Sequence, residues 1–136
     1  MYISYMGNDG KQIISAIPSV NDFFQLLHAN TGLLIIKIGA TWCGPCKRIA
    51  PNVERFFATS PDNVICADID ADECVELYTF LKTKRIVNGI PVILCYKKGN
   101  TDVFPNDSIT GADQNELKKF FARCGYTLSQ MQNETT

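Results

Sequence analysis

Six consecutive residues, Leu33–Ile38 (LLIIKI), constrain the fold of this 136-residue chain more than any other feature. They are leucine and isoleucine at five of six positions, without the apolar–polar alternation of a half-solvated strand, so both faces of the strand they form must be covered. A strand covered on both faces lies in the interior of a sheet that has helices on each side. Only Lys37 breaks the pattern. The chain then turns at Gly39–Trp42 and enters a helical pattern from about Cys43 to Thr59, with Ile49, Val53, Phe56 and Phe57 on one stripe. Pro51 falls inside that helix, where its missing N–H and ring clash predict a kink.

Around this strand and helix, the other segments alternate. Gln12–Ile17 is a short strand closed by Pro18. Ser19, with Asp22 three residues later, opens a helix carrying Val20, Phe23, Phe24 and Leu27, and Asn30-Thr31-Gly32 stops it. Val64–Ile69 is a strand, Asp72–Lys82 a helix offering Val75, Leu77, Tyr78 and Leu81 for packing, and Val92–Tyr96 a strand. Lys97-Lys98-Gly99-Asn100 turns back into Asp102–Phe104 as a hairpin. Asp113 and Glu116 then cap a last helix bearing Leu117, Phe120 and Phe121, which Gly125 is expected to close. The order predicts an α/β fold: a central mixed sheet of about five strands with helices on both faces. Residues 1–11 read as an N-terminal extension, 12–125 as one domain, and 126–136 as a polar tail.

Composition narrows the function classes. Thirteen Lys and Arg against fourteen Asp and Glu give a net charge of -1, so no basic footprint points to nucleic acid. Purely apolar runs such as Leu33–Ile36 and Val92–Tyr96 are far below the roughly 20 residues that span a bilayer. The first ten residues lack the basic and apolar regions of a secretory signal. Six cysteines without an export signal fit a reducing compartment, the cytoplasm, with most of them serving as small buried hydrophobes.

One constellation carries chemistry: Trp42-Cys43-Gly44-Pro45-Cys46-Lys47, where the apolar strand gives way to the helix. A cysteine at a helix's first turn faces unpaired N–H groups and the positive end of the helix dipole, which favour its thiolate. Two intervening residues bring the second sulfur within disulfide reach, so the pair can open and close with little backbone motion. Cys43 then reads as the exposed attacking thiolate and Cys46 as the more buried resolving thiol. The competing reading is half a zinc site. It needs two further ligands, and the sequence holds no second Cys-x-x-Cys, no His-x-His cluster and one histidine, His28, on an amphipathic helix. No metal and no cofactor are expected.

WCGPCK at a strand-to-helix junction resembles the thioredoxin family, and the similarity covers nearly the whole chain, from Gln12 to Cys124. Pro51 falls where that family kinks its active-site helix, Gly89-Ile90-Pro91 is similar to its Gly-Ile-Pro, and Lys98-Gly99 and Gly111 also correspond. The resemblance implies a thioredoxin-like fold and a cis peptide bond before Pro91 beside the dithiol. Trp42, Ile90 and Pro91 would then form a substrate-facing rim, while Gly44-Pro45 accompanies reducing members. It further implies protein disulfides as substrates, thioredoxin reductase or another dithiol donor as electron source, and a monomer. A thioredoxin-fold adaptor with an idle dithiol is the alternative, with partner contacts on 72–88 and 102–110, both longer than usual.

Three positions depart from the family pattern. Lys37 stands where members usually carry a buried aspartate that assists proton transfer at the resolving cysteine. Cys66 occupies the place of a lysine that pairs with that aspartate, and Gly39 replaces a common aromatic, leaving less cover over the dithiol. If the Lys37 ammonium reaches the interior, it favours thiolate over thiol and makes the couple less reducing. If Lys37 extends its charge into water, the couple is untouched. Of the other cysteines, Cys66 and Cys95 are expected to be buried in strands. Cys74 and Cys124, on helices, are either structural or exposed enough to dimerise or sense oxidation. The acidic run Asp68, Asp70, Asp72, Glu73 reads as a solvated strand end and helix start.

Overall fold

The computed structural model describes residues 1–134. In chain order the elements are β1 (Ile3–Met6), β2 (Gln12–Ala16), α1 (Val20–Ala29), β3 (Leu33–Gly39), α2 (Gly44–Thr59), β4 (Val64–Asp70), α3 (Val75–Thr83), β5 (Val92–Lys97), β6 (Asp107–Thr110) and α4 (Gln114–Glu134). The sheet is mixed, in the order β1-β2-β4-β3-β5-β6. β2 and β3 run parallel to β4, whereas β1–β2, β3–β5 and β5–β6 are antiparallel. The α/β class therefore stands, with six strands where the sequence suggested about five.

The unbroken apolar run explains why β3 is central: every one of its residues is buried. Leu34, Ile36 and Ile38 enter one core with Phe23, Leu26 and Leu27 of α1 and Leu77 and Leu81 of α3. Leu33 and Ile35 enter the other, with Ile49, Val53 and Phe57 of α2 and Leu117 and Phe120 of α4. On that second face, alternation places Lys37 next in line, where an aliphatic residue would continue the core. Asn30, also buried, closes α1 by donating to the Tyr96 carbonyl at 2.9 Å and accepting the Gly32 N–H at 3.0 Å, so its burial leaves no polar group unpaired.

Four boundaries differ from the sequence expectation. β1 adds an edge strand within the residues read as an extension; it is exposed throughout, so no burial pattern marks it. The hairpin partner of β5 is Asp107–Thr110, not Asp102–Phe104. The 102–104 segment instead forms a loop whose buried Val103 accepts the Tyr96 hydroxyl at 2.7 Å, and Asn100 holds the loop by donating to Phe104 O and Asn106 Oδ1. α3 begins at Val75 after an N-terminal cap at Cys74, and Val75 itself is exposed rather than packed.

The last difference is the largest. Gly125 does not end the final helix: α4 continues to Glu134. A glycine stops a helix by adopting positive φ at its C-terminus, and the positive-φ glycines here are Gly10, Gly99 and Gly111. What carries α4 onward is a stripe continuing from Leu117, Phe120 and Cys124 through half-buried Leu128 to buried Met131. The segment read as a polar tail is thus, through Glu134, a continuation of α4 docked by Leu128 and Met131; Thr135 and Thr136 lie outside the described residues.

Candidate active site

The dithiol sits where β3 delivers the chain to α2. Cys43 is the N-cap of α2, with extended backbone angles, and its Sγ accepts the N–H of Cys46 at 3.2 Å. Pro45 lies in the first turn, where a proline's missing N–H costs no helical hydrogen bond. Cys43 and Cys46 form a disulfide with their Cα atoms 5.3 Å apart. The expected contrast in exposure is small, since the two residues are 5% and 4% exposed. Their asymmetry lies in position: Cys43 is at the helix entrance, while Cys46 is one turn inside against β3.

The other candidates converge on the same edge of the sheet. Ile38 pairs with Val92 across β3 and β5, so Pro91 lies at the edge from which β3 leads toward Cys43. The Ile90–Pro91 peptide bond is cis, and the Pro91 carbonyl accepts the Gly111 N–H at 2.8 Å, fixing the start of β5. Pro91 is buried, Ile90 half-buried, and Gly44 and Pro45 exposed. Trp42 is 69% exposed, with its indole N–H donating to Asp72 at 2.8 Å. Asp72 is therefore more than a solvated acid, because it fixes the side chain that precedes the dithiol. His28 lies away on the exposed side of α1, its Nδ1 2.8 Å from the Phe24 carbonyl.

Lys37 is buried, and it does not reach water alone. Its Nζ pairs with Asp68 at 3.3 Å, directly across the parallel β3–β4 register. Cys66, two residues earlier, pairs with Ile35 instead, and its Sγ lies 3.5 Å from the Ser60 hydroxyl. The partner of Lys37 is thus Asp68, a residue that local sequence groups with the acidic run and only strand register reveals. Gly39 does not uncover the dithiol. A Cβ there would lie 3.1 Å from Cys46 Sγ and 3.6 Å from Lys37 Cε, so the sulfur and the lysine stem share the space that a side chain would fill. A cavity of about 340 Å³ borders Lys37, Gly39, Cys46, Asp68 and Glu73.

The remaining cysteines are all buried. Burial pushes the Cys66 and Cys74 thiols up, which suppresses thiolate at neutral pH. Cys74 Sγ accepts the Ile17 N–H at 3.5 Å, so the exposed alternative for Cys74 and Cys124 is overturned. Among the described residues, no group of three or more His, Cys, Asp or Glu could hold a metal ion, and no helix is long and apolar enough to cross a membrane.

The fold that holds this site is one that known proteins share. A family model described as Thioredoxin matches residues 15–123. Thioredoxin-2 of Saccharomyces cerevisiae is 30% identical over 87 residues, covering 64% of this chain and 79% of that protein. Thioredoxin 1 of Plasmodium falciparum is 29% identical over 111 residues, covering 82% and 97%. The crystal structure of the Malassezia sympodialis thioredoxin superposes with a TM-score of 0.64 at 26% identity, covering 82% of this chain and 91% of that one. With the family match running from the end of β2 into α4 and including the bridged cysteine pair, the chain belongs to the thioredoxin family and is a thiol–disulfide oxidoreductase.

Proposed function

We propose that the protein reduces protein disulfides through Cys43 as nucleophile and Cys46 as resolving thiol. The observation that carries this is the Cys43 sulfur at the N-cap of α2, accepting the Cys46 N–H. That position stabilises negative charge on the sulfur that must attack. In the first step the Cys43 thiolate attacks one sulfur of the substrate, and the other leaves as a thiolate and takes a proton. A mixed disulfide joins Cys43 to the substrate. Cys46 then attacks Cys43 Sγ, the second substrate sulfur leaves, and the Cys43–Cys46 bond closes. Two electrons and two protons from a dithiol donor, thioredoxin reductase or an equivalent, restore the reduced pair. Trp42, Ile90 and Pro91 frame the approach of an extended substrate segment. The protein acts as a monomer in a reducing compartment, the cytoplasm; the four unbridged cysteines support that placement.

Lys37 tunes the couple in this proposal. Where family members place a buried carboxylate, this chain places a lysine whose stem lies against the same Gly39 position as Cys46 Sγ, with its counter-charge, Asp68, on the neighbouring strand. Replacing negative charge by a nearby positive one favours thiolate over thiol. A stabilised thiolate stabilises the reduced form and raises the potential. Equilibration with glutathione redox buffers, read by alkylation of Cys43 and Cys46, is expected to give a reversible couple above the roughly -270 mV of thioredoxin, by about 30 mV. Lys37→Met is expected to lower it again and to alter the rate of the resolving step. A wild-type value at or below about -270 mV, or no reversible couple, contradicts the proposal.

A further inference from the structure

The active-site pair leaves a second pair of sulfurs unexplained. Cys95, in the middle of β5, and Cys124, on α4, are 29 residues apart in sequence, yet their Sγ atoms lie 3.8 Å apart in the core between the sheet and α4. The other two unbridged cysteines, Cys66 and Cys74, face Ser60 and Ile17 instead. A disulfide is about 2.05 Å long, so closure requires the two Cys95 and Cys124 sulfurs to approach by less than about 2 Å. A cavity of about 440 Å³ reaches the pair, bordered by Cys95, Cys124, Asp107, Arg123 and the exposed Tyr126. That volume lies in the range of small-molecule sites. Arg123 and Asp107, paired at 2.7 Å, stand at its edge.

We propose that Cys95 and Cys124 form a second redox couple, a modification site that closes into a disulfide when a low-molecular-weight disulfide enters this cavity as oxidant. Cys124 donates its S–H toward Cys95, and Cys95 is the less deeply buried of the two, so Cys95 takes the first step. Cys95 attacks one sulfur of the small disulfide, the other leaves as a thiol, and a mixed disulfide forms. Cys124 then attacks Cys95 Sγ, the second small thiol leaves with the Cys124 proton, and the Cys95–Cys124 bond closes. One small disulfide is reduced to two thiols, and two protein thiols become one disulfide. The hydrogen bond to Cys95 and burial push the Cys124 thiol far up, which slows the second step. The couple therefore responds to sustained oxidation rather than to each catalytic turnover. Cys95 lies three residues along β5 from Val92, which starts the strand beside the cis peptide bond. On β3, Cys95 pairs with Ile35, four residues or about 13 Å before Gly39, where Cys46 Sγ lies, so the two couples do not exchange sulfurs directly inside one chain. Closure ties α4 to β5 just before the Gly125–Glu134 portion of the helix.

The test uses the full chain with Cys43→Ser and Cys46→Ser, reduced and then equilibrated with glutathione disulfide. After acid quench, unfolding and alkylation, the four remaining thiols are expected to fall to two, with the peptides of Cys95 and Cys124 linked. The thermal midpoint should rise by about 10 °C relative to the reduced form. Adding Cys124→Ala should abolish both the thiol loss and the shift. The wild-type chain, treated in the same way, should show the same linkage beside Cys43–Cys46, which keeps the test independent of how well the serine variants fold. Four unchanged thiols, a linkage through Cys66 or Cys74, or glutathione retained on one cysteine without closure would each overturn the proposal.

Discussion

Cys43→Ser is expected to lower the rate of insulin disulfide reduction, with dithiothreitol as donor, by on the order of a thousandfold or more. The size follows from the chemistry. A serine hydroxyl at the α2 N-cap keeps the hydrogen bond from Cys46 N–H but supplies no thiolate at neutral pH. Cys46 cannot take over the first attack efficiently, because it lies one turn inside the helix against Gly39. The fold should survive: serine is a favoured N-cap, so urea unfolding of the reduced variant should stay within about 1 kcal/mol of the reduced wild type. A variant that unfolds with the wild type but retains a tenth of its activity would relocate the nucleophile.

Phe120→Ala should cost about 3–5 kcal/mol of stability, measured by urea unfolding of the reduced protein. Phe120 is fully buried between the sheet and α2, in one core with Ile35, Val53 and Leu117. Its ring lies 5.6 Å from that of Phe121, which stacks at 4.2 Å on Phe56 of α2. Truncation removes the transfer energy of the ring and leaves a cavity that rigid neighbours cannot fully close. Phe104→Ala, at an exposed loop position, should stay within about 0.5 kcal/mol. A loss below about 1 kcal/mol for Phe120→Ala would mean that α4 is not docked as described.

What the sequence discloses follows where local chemistry is decisive. β3 is legible because burial on both faces leaves an unbroken apolar run, and the Cys43–Cys46 spacing can be read without a fold. The Ile90–Pro91 cis bond follows from family resemblance rather than from propensity. β1 is hidden because an edge strand exposed on both faces has no pattern to betray it. Gly125 misleads because glycine signals a helix end only when it turns to positive φ, and here docking of Leu128 and Met131 keeps the helix going. Pairs made across strands or between distant elements are the least legible. Lys37 and Asp68 meet through parallel register, Trp42 and Asp72 through a loop, and Cys95 and Cys124 through the packing of α4 on the sheet.

The order of the two sulfurs is open to direct capture. Cys46→Ser removes the resolving thiol, so a substrate attacked by Cys43 has no release path and stays bonded as a mixed disulfide. Incubated with insulin and resolved without reductant, this variant should form an adduct that dithiothreitol releases, with peptide mapping placing the bond at Cys43. The double variant Cys43→Ser/Cys46→Ser should form none. An adduct through Cys46 in the Cys43→Ser chain with none in Cys46→Ser, or attachment through any of the other four cysteines, would contradict the account.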